Sequence, residues 1–137
     1  MKGKIAIIPI KGTIVSESGF IFPIPLPIKI GGTVSTEVIE FLEEVEKNKK
    51  IKAVILEIDS PGGTPYPCKE IATKVKNFSK PVIAWVKESA TSGAYWIASG
   101  CKKIIADQLS IIGSIGVTSL RPDFTELLKK FGIDIDT

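Results

Sequence analysis

Continuous runs of apolar residues recur along the chain, separated by stretches that mix charged and apolar positions. The run at 51–58 is the strongest, and a second lies at 81–86. Runs of this kind are typical of strands buried on both faces, as in a parallel sheet. Shorter strands are predicted at 4–10 and 103–106.

Between the strands, apolar residues recur at helical spacing. In 33–49 this face consists of Val38, Ile39, Leu42 and Val45. Ser35 or Thr36 is expected to cap this helix, and its early acidic and late basic residues suit the helix dipole. Further helices are predicted at 66–78, beginning near Pro67, at 92–99, and from Asp123 to about 130. The alternation predicts an α/β fold with ββα-type or βαβ crossovers.

The remaining stretches are predicted as turns and loops. Turns are predicted at 59–63 and 89–91, and 11–14 is a turn or a bulge. The segment 16–32 is irregular, 110–119 is a glycine-punctuated strand or loop, and a last strand begins at 133–135. Within the irregular segment, 20–30 alternates prolines with apolar residues, which forbids a helix. Two interpretations stay open: a loop packed on its own domain, or a contact surface for a neighbouring subunit, a membrane or an apolar substrate.

The amino-acid composition excludes several kinds of catalytic and binding site. The 137 residues suit one domain, and they contain no histidine, which excludes a Ser-His-Asp triad, a Cys-His pair or a histidine metal site within the chain. A serine nucleophile would need another base, and lysine is the usual substitute. The net charge of +3 is scattered and does not indicate nucleic-acid binding. Cys68 and Cys101 match no metal or redox spacing and are expected to be partly buried free thiols, with a disulfide as the alternative.

Two local features can carry acyl-transfer chemistry. Gly62 and Gly63 follow a buried strand and can turn the backbone so that an N–H group points outward to an oxyanion. Ser92 precedes Gly93 at the start of a predicted helix, where N–H groups are unpaired. Each feature also has a structural interpretation, a plain glycine turn and a helix-capping serine.

Taken together, the motifs resemble a known family. SPGG at 60–63, SGAY at 92–95 and GSIGV at 113–117 occur in the order found in the S49 signal peptide peptidases of the SppA or protease IV type. Ala94 departs from the glycine usual in that family. The resemblance implies a Clp protease/crotonase-like fold, with repeated ββα units and a mostly parallel sheet flanked by helices.

The resemblance also implies roles for individual residues. Ser92 is similar to the family's nucleophile, and the N–H groups of Gly63 and Gly93 would form the oxyanion hole. The base in the family is a lysine downstream of GSIGV, at a position that falls just after Thr137. The expectation is therefore a single S49-type domain over 1–137, truncated before that lysine and inactive or nearly so as it stands. Lys87, Lys129 and Lys130 are expected to be solvated.

The function implied by the resemblance is a Ser-Lys endopeptidase that degrades residual signal peptides in or at the membrane. Peptides would be the substrates and would add as a strand beside the glycine turn and the segment after GSIGV. The resemblance likewise implies a homo-oligomer, an N-terminal membrane anchor outside this chain, an extracytoplasmic location and no cofactor or metal. Two alternatives remain: a crotonase-like acyl-thioester enzyme, for which Glu88 is the nearby carboxylate, and a non-catalytic peptide-binding or assembly module.

Overall fold

The computed structural model describes residues 3–16, 31–119 and 122–133. The expectations for the apolar segment 20–30 and for the strand at 133–135 beyond Ile133 lie outside these ranges. The strands are β1 (Lys4–Lys11), β2 (Thr13–Val15), β3 (Gly32–Val34), β4 (Ile51–Ser60), β5 (Val82–Thr91), β6 (Lys103–Ala106) and β7 (Ile111–Gly113). The helices are α1 (Ser35–Lys47), α2 (Pro65–Lys76), α3 (Gly93–Ser99) and α4 (Thr125–Lys130).

The main sheet is parallel throughout, as the apolar runs predict. Its strands lie in the order β1-β4-β5-β6, and β7 pairs with the far end of β5. The carboxyl ends of β4, β5 and β7 therefore meet at one edge of the sheet. Ligand sites in open parallel sheets form at this edge, and all three motifs of the sequence lie there.

One face of the sheet forms the core with α1, α2 and α3. It presents alternate residues of β1, β4 and β5, among them Ile10, Leu56 and Val86, all fully buried. The prediction that the central strands are buried on both faces is only half right. On the opposite face, Trp85 remains 43% exposed, and Ile7 on the neighbouring edge strand 56% exposed. The sequence pattern cannot distinguish a sheet face that is covered from one that is open, because both faces of these strands carry apolar residues.

The sequence missed a small second sheet, in which β2 pairs with β3 in parallel. These residues were expected to be turn and irregular loop, and Thr33 was expected to be helical. Thr33 instead ties β3 to the end of β1: its hydroxyl accepts from the Lys11 N–H at 2.8 Å and donates to the Lys11 carbonyl at 2.9 Å. Strands of three residues show no periodicity of their own, so tertiary contacts determine them.

Several element ends also differ from the predictions. Neither Ser35 nor Thr36 caps α1: Val34 is the N-cap residue, and the buried Ser35 hydroxyl donates to Glu70 at 3.3 Å. The predicted turn at 89–91 is strand, because β5 continues to Thr91. That extension pairs with β4 and β7 and brings the next residue to the carboxyl edge.

The remaining helices agree with the prediction to within a few residues. At α4 the N-cap residue is Phe124 rather than Asp123, although the Asp123 carboxylate accepts from the Thr125 N–H at 2.9 Å. The helices seen in the described ranges all fall short of the length and hydrophobicity that a bilayer-spanning helix needs.

Candidate active site

The glycine turn after β4 is held in one conformation by its own serine. Ser60 is fully buried; its hydroxyl donates to the Gly12 carbonyl at 2.6 Å and accepts from the Gly62 N–H at 3.0 Å. Gly62 has a φ of +93°, a backbone conformation that favours glycine. The turn is therefore locked between β4 and the bend that joins β1 to β2.

Strand β2 sets the orientation of the next peptide. The Ile14 N–H donates to the Gly62 carbonyl at 2.9 Å, and the Ile14 carbonyl accepts from the Thr64 N–H at 3.0 Å. In a trans peptide the C=O and the following N–H point in opposite directions. Because the Gly62 carbonyl points toward Ile14, the Gly63 N–H points away from β2. Among the described residues, this N–H has no hydrogen-bond acceptor.

Ser92 occupies a strained position between β5 and α3. Its φ and ψ are 51° and −123°, outside the regions that non-glycine residues ordinarily adopt. Its N–H donates to the Gly113 carbonyl at 2.8 Å, which ties it to the end of β7. Ser92 is the N-cap residue of α3, as the helix-cap interpretation expects, but its hydroxyl makes no capping hydrogen bond to the helix. Its contact in the described chain is a long one, to the Gly116 carbonyl at 3.4 Å.

The glycine turn and the serine turn lie against each other. A Cβ atom added to Gly62 would lie 2.8 Å from the Gly93 nitrogen and 3.1 Å from the Ser92 Cβ. A Cβ added to Gly93 would lie 3.7 Å from the Gly63 nitrogen. The structure thus brings together all three predicted site residues: Ser92, Gly63 and Gly93. As for Gly63, no acceptor for the Gly93 N–H is found in the described ranges.

These groups open into a cleft of about 460 Å³. Gly63, Ser92 and Gly93 line its floor, and its walls are mostly apolar, formed by residues of α3 and of the segment after β7 together with one proline: Pro65, Tyr95, Trp96, Ile115 and Val117. Ile115 and Val117 are each about four-fifths exposed. An apolar cleft beside paired amide donors suits an acyl group flanked by apolar side chains.

The candidate base residues within the described chain lie elsewhere. Lys87, half exposed, pairs with Glu57 at 3.3 Å and lies over the Trp85 ring on the open face of the sheet. Lys129, on α4, pairs with Glu126, and Lys130 is exposed on the same helix. None of these lysines is among the residues lining the cleft, and neither is the exposed Glu88 of the crotonase alternative.

Glu57 joins Lys87 and Lys11 in an ion-pair cluster near the carboxyl edge. Its carboxylate lies 3.0 Å from the Lys11 amine and 3.3 Å from the Lys87 amine. The hydrogen bond from Lys11, supported by that from Lys87, holds the pKa of Glu57 below its ordinary value of 4.5. Lys87 therefore pairs with Glu57 and not with Ser92.

Replacing Glu57 by glutamine is expected to lower stability at neutral pH and to have little effect in acid. A carboxyl whose pKa is lowered by folding contributes stability above its unfolded-state pKa of 4.5, and this contribution disappears as the pH falls through the lower folded-state value. Urea unfolding of both proteins between about pH 7 and about pH 3 measures the difference. A difference that stays constant across this interval contradicts the ion-pair assignment.

The two cysteines are free thiols, as expected. Cys101 is partly buried, as predicted, whereas Cys68 is fully buried and so differs from the prediction. Burial raises the pKa of Cys68 to about 11 and that of Cys101 to about 12, so both are protonated near neutral pH and neither is an activated nucleophile. Within the described ranges, no group of three or more potential His, Cys, Asp or Glu ligands lies together for a metal ion.

Sequence reasoning missed the residues that hold the site in place. Ile14 orients the Gly63 peptide, and the Gly113 carbonyl holds the Ser92 N–H. Both act through backbone atoms, which carry no signal in the residue type. Cys68 lies directly under Gly93: a Cβ added to Gly93 would overlap its sulfur.

Comparison with known sequences reveals longer relatives. Residues 74–137 match the family model described as Peptidase family S49. Protease 4 of Haemophilus influenzae is 34% identical over 136 residues, which cover 97% of this chain and 21% of the relative. The chloroplastic serine protease SPPA of Arabidopsis thaliana is 34% identical over 138 residues, covering 99% of this chain and 20% of the relative. The chain thus spans about a fifth of the length of these curated relatives.

Solved structures share the fold at low sequence identity. A variant of the 1510-N membrane-bound stomatin-specific protease aligns with a TM-score of 0.66 and 20% identity, over 96% of this chain and 60% of that one. ClpP1 from Listeria monocytogenes aligns with a TM-score of 0.55 and 17% identity, over 69% and 46% of the two chains. An enoyl-CoA hydratase/isomerase family member aligns with a TM-score of 0.55 and 21% identity, over 70% and 46%.

These alignments confirm the predicted Clp protease/crotonase-like fold, with its mostly parallel sheet and flanking helices. They say nothing about chemistry, because the same fold occurs with a peptidase and with an enoyl-CoA hydratase/isomerase. The match to the S49 family model over residues 74–137 and the named protease relatives favour the peptidase branch. The chain is similar to members of peptidase family S49.

Proposed function

We propose that this chain carries the nucleophile half of a serine peptidase. Ser92 attacks the substrate carbonyl, and the N–H groups of Gly63 and Gly93 stabilise the resulting oxyanion. The observation that carries the proposal is the convergence of a strained serine with two amide donors that have no acceptor among the described residues. Such donors are stabilising when they are fixed before the charge develops, and both peptides here are held by backbone hydrogen bonds or a helix start.

The proposed base is the lysine that the family resemblance places downstream of GSIGV, just after Thr137. A serine hydroxyl at its ordinary pKa is a weak nucleophile without a neighbouring base. Histidine is absent from the chain, and no described lysine lines the cleft. For the stomatin-specific protease, solved structures include a lysine-to-alanine variant in complex with a substrate peptide and a serine-to-alanine variant. A pair of Ser92 with a lysine outside this chain is consistent with those two replacements.

The proposed substrates are peptides, with the apolar segments of cleaved signal peptides as the preferred class. The cleft has apolar walls, and the exposed Ile115 and Val117 flank it in a segment that belongs to no helix or strand. In the proposal, a substrate peptide adds as a strand beside this segment. We further propose that the protein works at the extracytoplasmic side of a membrane, through an anchor outside this chain. We also propose that it assembles into a homo-oligomer. The resemblance to signal peptide peptidases supports these last features.

The test supplies the missing base chemically. The 137-residue chain is incubated with a peptidyl phosphonate, with and without a small primary amine, and covalent labelling is followed by intact-mass spectrometry. General-base catalysis contributes about 10²–10⁴-fold, so an amine that enters the cleft is expected to accelerate labelling at least about tenfold. Ser92→Ala removes the labelling, whereas the control Ser89→Ala, whose side chain contacts Asp59 outside the cleft, retains it.

Each other outcome overturns a stated part of the proposal. Fast labelling without amine means that a base already present in the chain serves Ser92, which contradicts the external lysine. Labelling in neither condition contradicts the nucleophile and favours the peptide-binding module. Labelling that survives Ser92→Ala assigns the nucleophile to another residue.

A further inference from the structure

Cys68 lies where the two halves of the site meet. It is fully buried at the end of the first turn of α2, directly beneath the backbone of Gly93. A Cβ atom added to Gly93 would overlap the Cys68 sulfur and would lie 2.8 Å from the Cys68 Cβ. The Gly93 backbone therefore rests on this side chain without clearance.

The same residue is tied to the other amide donor. Helix α2 starts two residues after Gly63, and its N-cap residue Thr64 accepts a hydrogen bond from the Cys68 N–H at 3.4 Å. A Cβ added to Gly93 would also lie 3.7 Å from the Gly63 nitrogen. Position 68 is thus connected to Gly63 through one turn of helix and to Gly93 through direct packing.

We infer that Cys68 is a positioning residue for the proposed oxyanion hole, and that the volume of its side chain sets the separation of the Gly63 and Gly93 N–H groups. The inference rests on the proposed function. A thiol suits the role because it packs as a small hydrophobe and needs no hydrogen-bond partner. A branched side chain at this position would push Gly93 away from Gly63, and alanine would leave the Gly93 backbone without support.

An ordinary core residue would behave differently. Val75, two turns further along α2, is also buried in the core but is not a close neighbour of either glycine. Truncating Val75 removes packing and lowers stability, as Cys68→Ala does. A purely structural role for Cys68 predicts the same consequences for both truncations. The positioning role predicts an additional effect on the two amides, for Cys68 alone.

The first measurement does not depend on activity. Backbone amide resonances of the chain are compared for the unchanged protein, Cys68→Val, Cys68→Ala, Cys68→Ser and the control Val75→Ala. The Gly63 and Gly93 amides are expected to shift most in Cys68→Val, less in Cys68→Ala, and least in the near-isosteric Cys68→Ser. Val75→Ala should leave both amides close to their original positions. The inference is overturned if the Gly63 and Gly93 amide resonances shift no more in Cys68→Val than in Val75→Ala.

The second measurement is phosphonate labelling of Ser92 in the presence of the small amine, for the same variants. Losing one oxyanion-hole donor costs about 10²–10³-fold in rate, so Cys68→Val is expected to label at least about tenfold more slowly, with Cys68→Ser restoring most of the rate. Unchanged labelling in Cys68→Val overturns the inference. If the amides shift but the unchanged protein never labels, the packing role stands and the proposed peptidase chemistry fails.

Discussion

Replacing Ser92 with alanine is expected to abolish phosphonate labelling while changing the free energy of unfolding by no more than about 0.5 kcal/mol. The hydroxyl makes no capping bond to α3, and its contact with the Gly116 carbonyl is 3.4 Å long. Little structure therefore depends on the hydroxyl. A nucleophile held in a rigid turn is expected to contribute to the chemistry without contributing to stability.

Replacing Ser92 with glycine is expected to abolish labelling and to give a more stable protein than Ser92→Ala. The φ and ψ of 51° and −123° favour glycine, and a non-glycine residue in such a region costs about 1–3 kcal/mol. Glycine loses part of this gain, about 0.5–1 kcal/mol, to its greater freedom in the unfolded chain. The glycine variant should therefore exceed the alanine variant by about 1 kcal/mol.

Intact-mass labelling and urea unfolding of the three proteins measure both effects. Equal stability of the alanine and glycine variants would show that the turn carries no strain at position 92. Residual labelling in either variant would assign the nucleophile to another residue. The alanine variant is the control for the glycine variant, since both lack the hydroxyl and differ in backbone freedom.

The strands and helices that the sequence predicted well are those whose burial pattern is local. The run that became β4 is mostly apolar, and the apolar face of α1 recurs at helical spacing. Such patterns show which side chains of a segment are buried, and they do not depend on which element the segment packs against. The open face of the sheet escaped prediction for the same reason: Ile7 and Trp85 are apolar but remain partly exposed in the described structure.

The elements that the sequence missed are determined by partners distant in the chain. β2 exists because Ile14 bonds to the glycine turn about 50 residues later and pairs with β3. The extension of β5 to Thr91 exists because β7 pairs with it. The serines of the predicted turn at 89–91 and of α1 favour turns and caps locally, and tertiary contacts override these preferences.

The candidate site was predictable only in part. Local sequence left two interpretations for Ser92 and two for the glycine turn, and the family resemblance favoured the catalytic one for each. The structure adds the close approach of Gly62 to Gly93, which neither motif shows alone. The supports of the site, Ile14 and Cys68, carry no motif, because one acts through its backbone and the other through its volume.

Replacing Gly63 with alanine is expected to damage both the fold and the site. The added Cβ would overlap the Ile14 carbonyl oxygen and would lie 2.5 Å from the Ile14 nitrogen. Because these are backbone atoms of β2, which cannot turn aside as a side chain can, β2 must move away from the turn. Its hydrogen bonds to the Gly62 carbonyl and the Thr64 N–H then weaken, and the fully buried Ile14 side chain loses packing. We expect a loss of about 2–4 kcal/mol in unfolding free energy.

The same movement releases the peptide that orients the Gly63 N–H. Without the bond from Ile14 to the Gly62 carbonyl, this peptide is free to rotate, and the Gly63 N–H is no longer held pointing away from β2. Amine-assisted labelling is therefore expected to fall at least about 100-fold, measured at a temperature where urea unfolding shows the variant to be folded. Gly31→Ala is the matched control, because within the described chain no atom lies within 4 Å of a Cβ added there. That variant should keep both stability and labelling. Full labelling in a folded Gly63→Ala protein would remove Gly63 from the oxyanion hole and leave Gly93 as its remaining proposed donor.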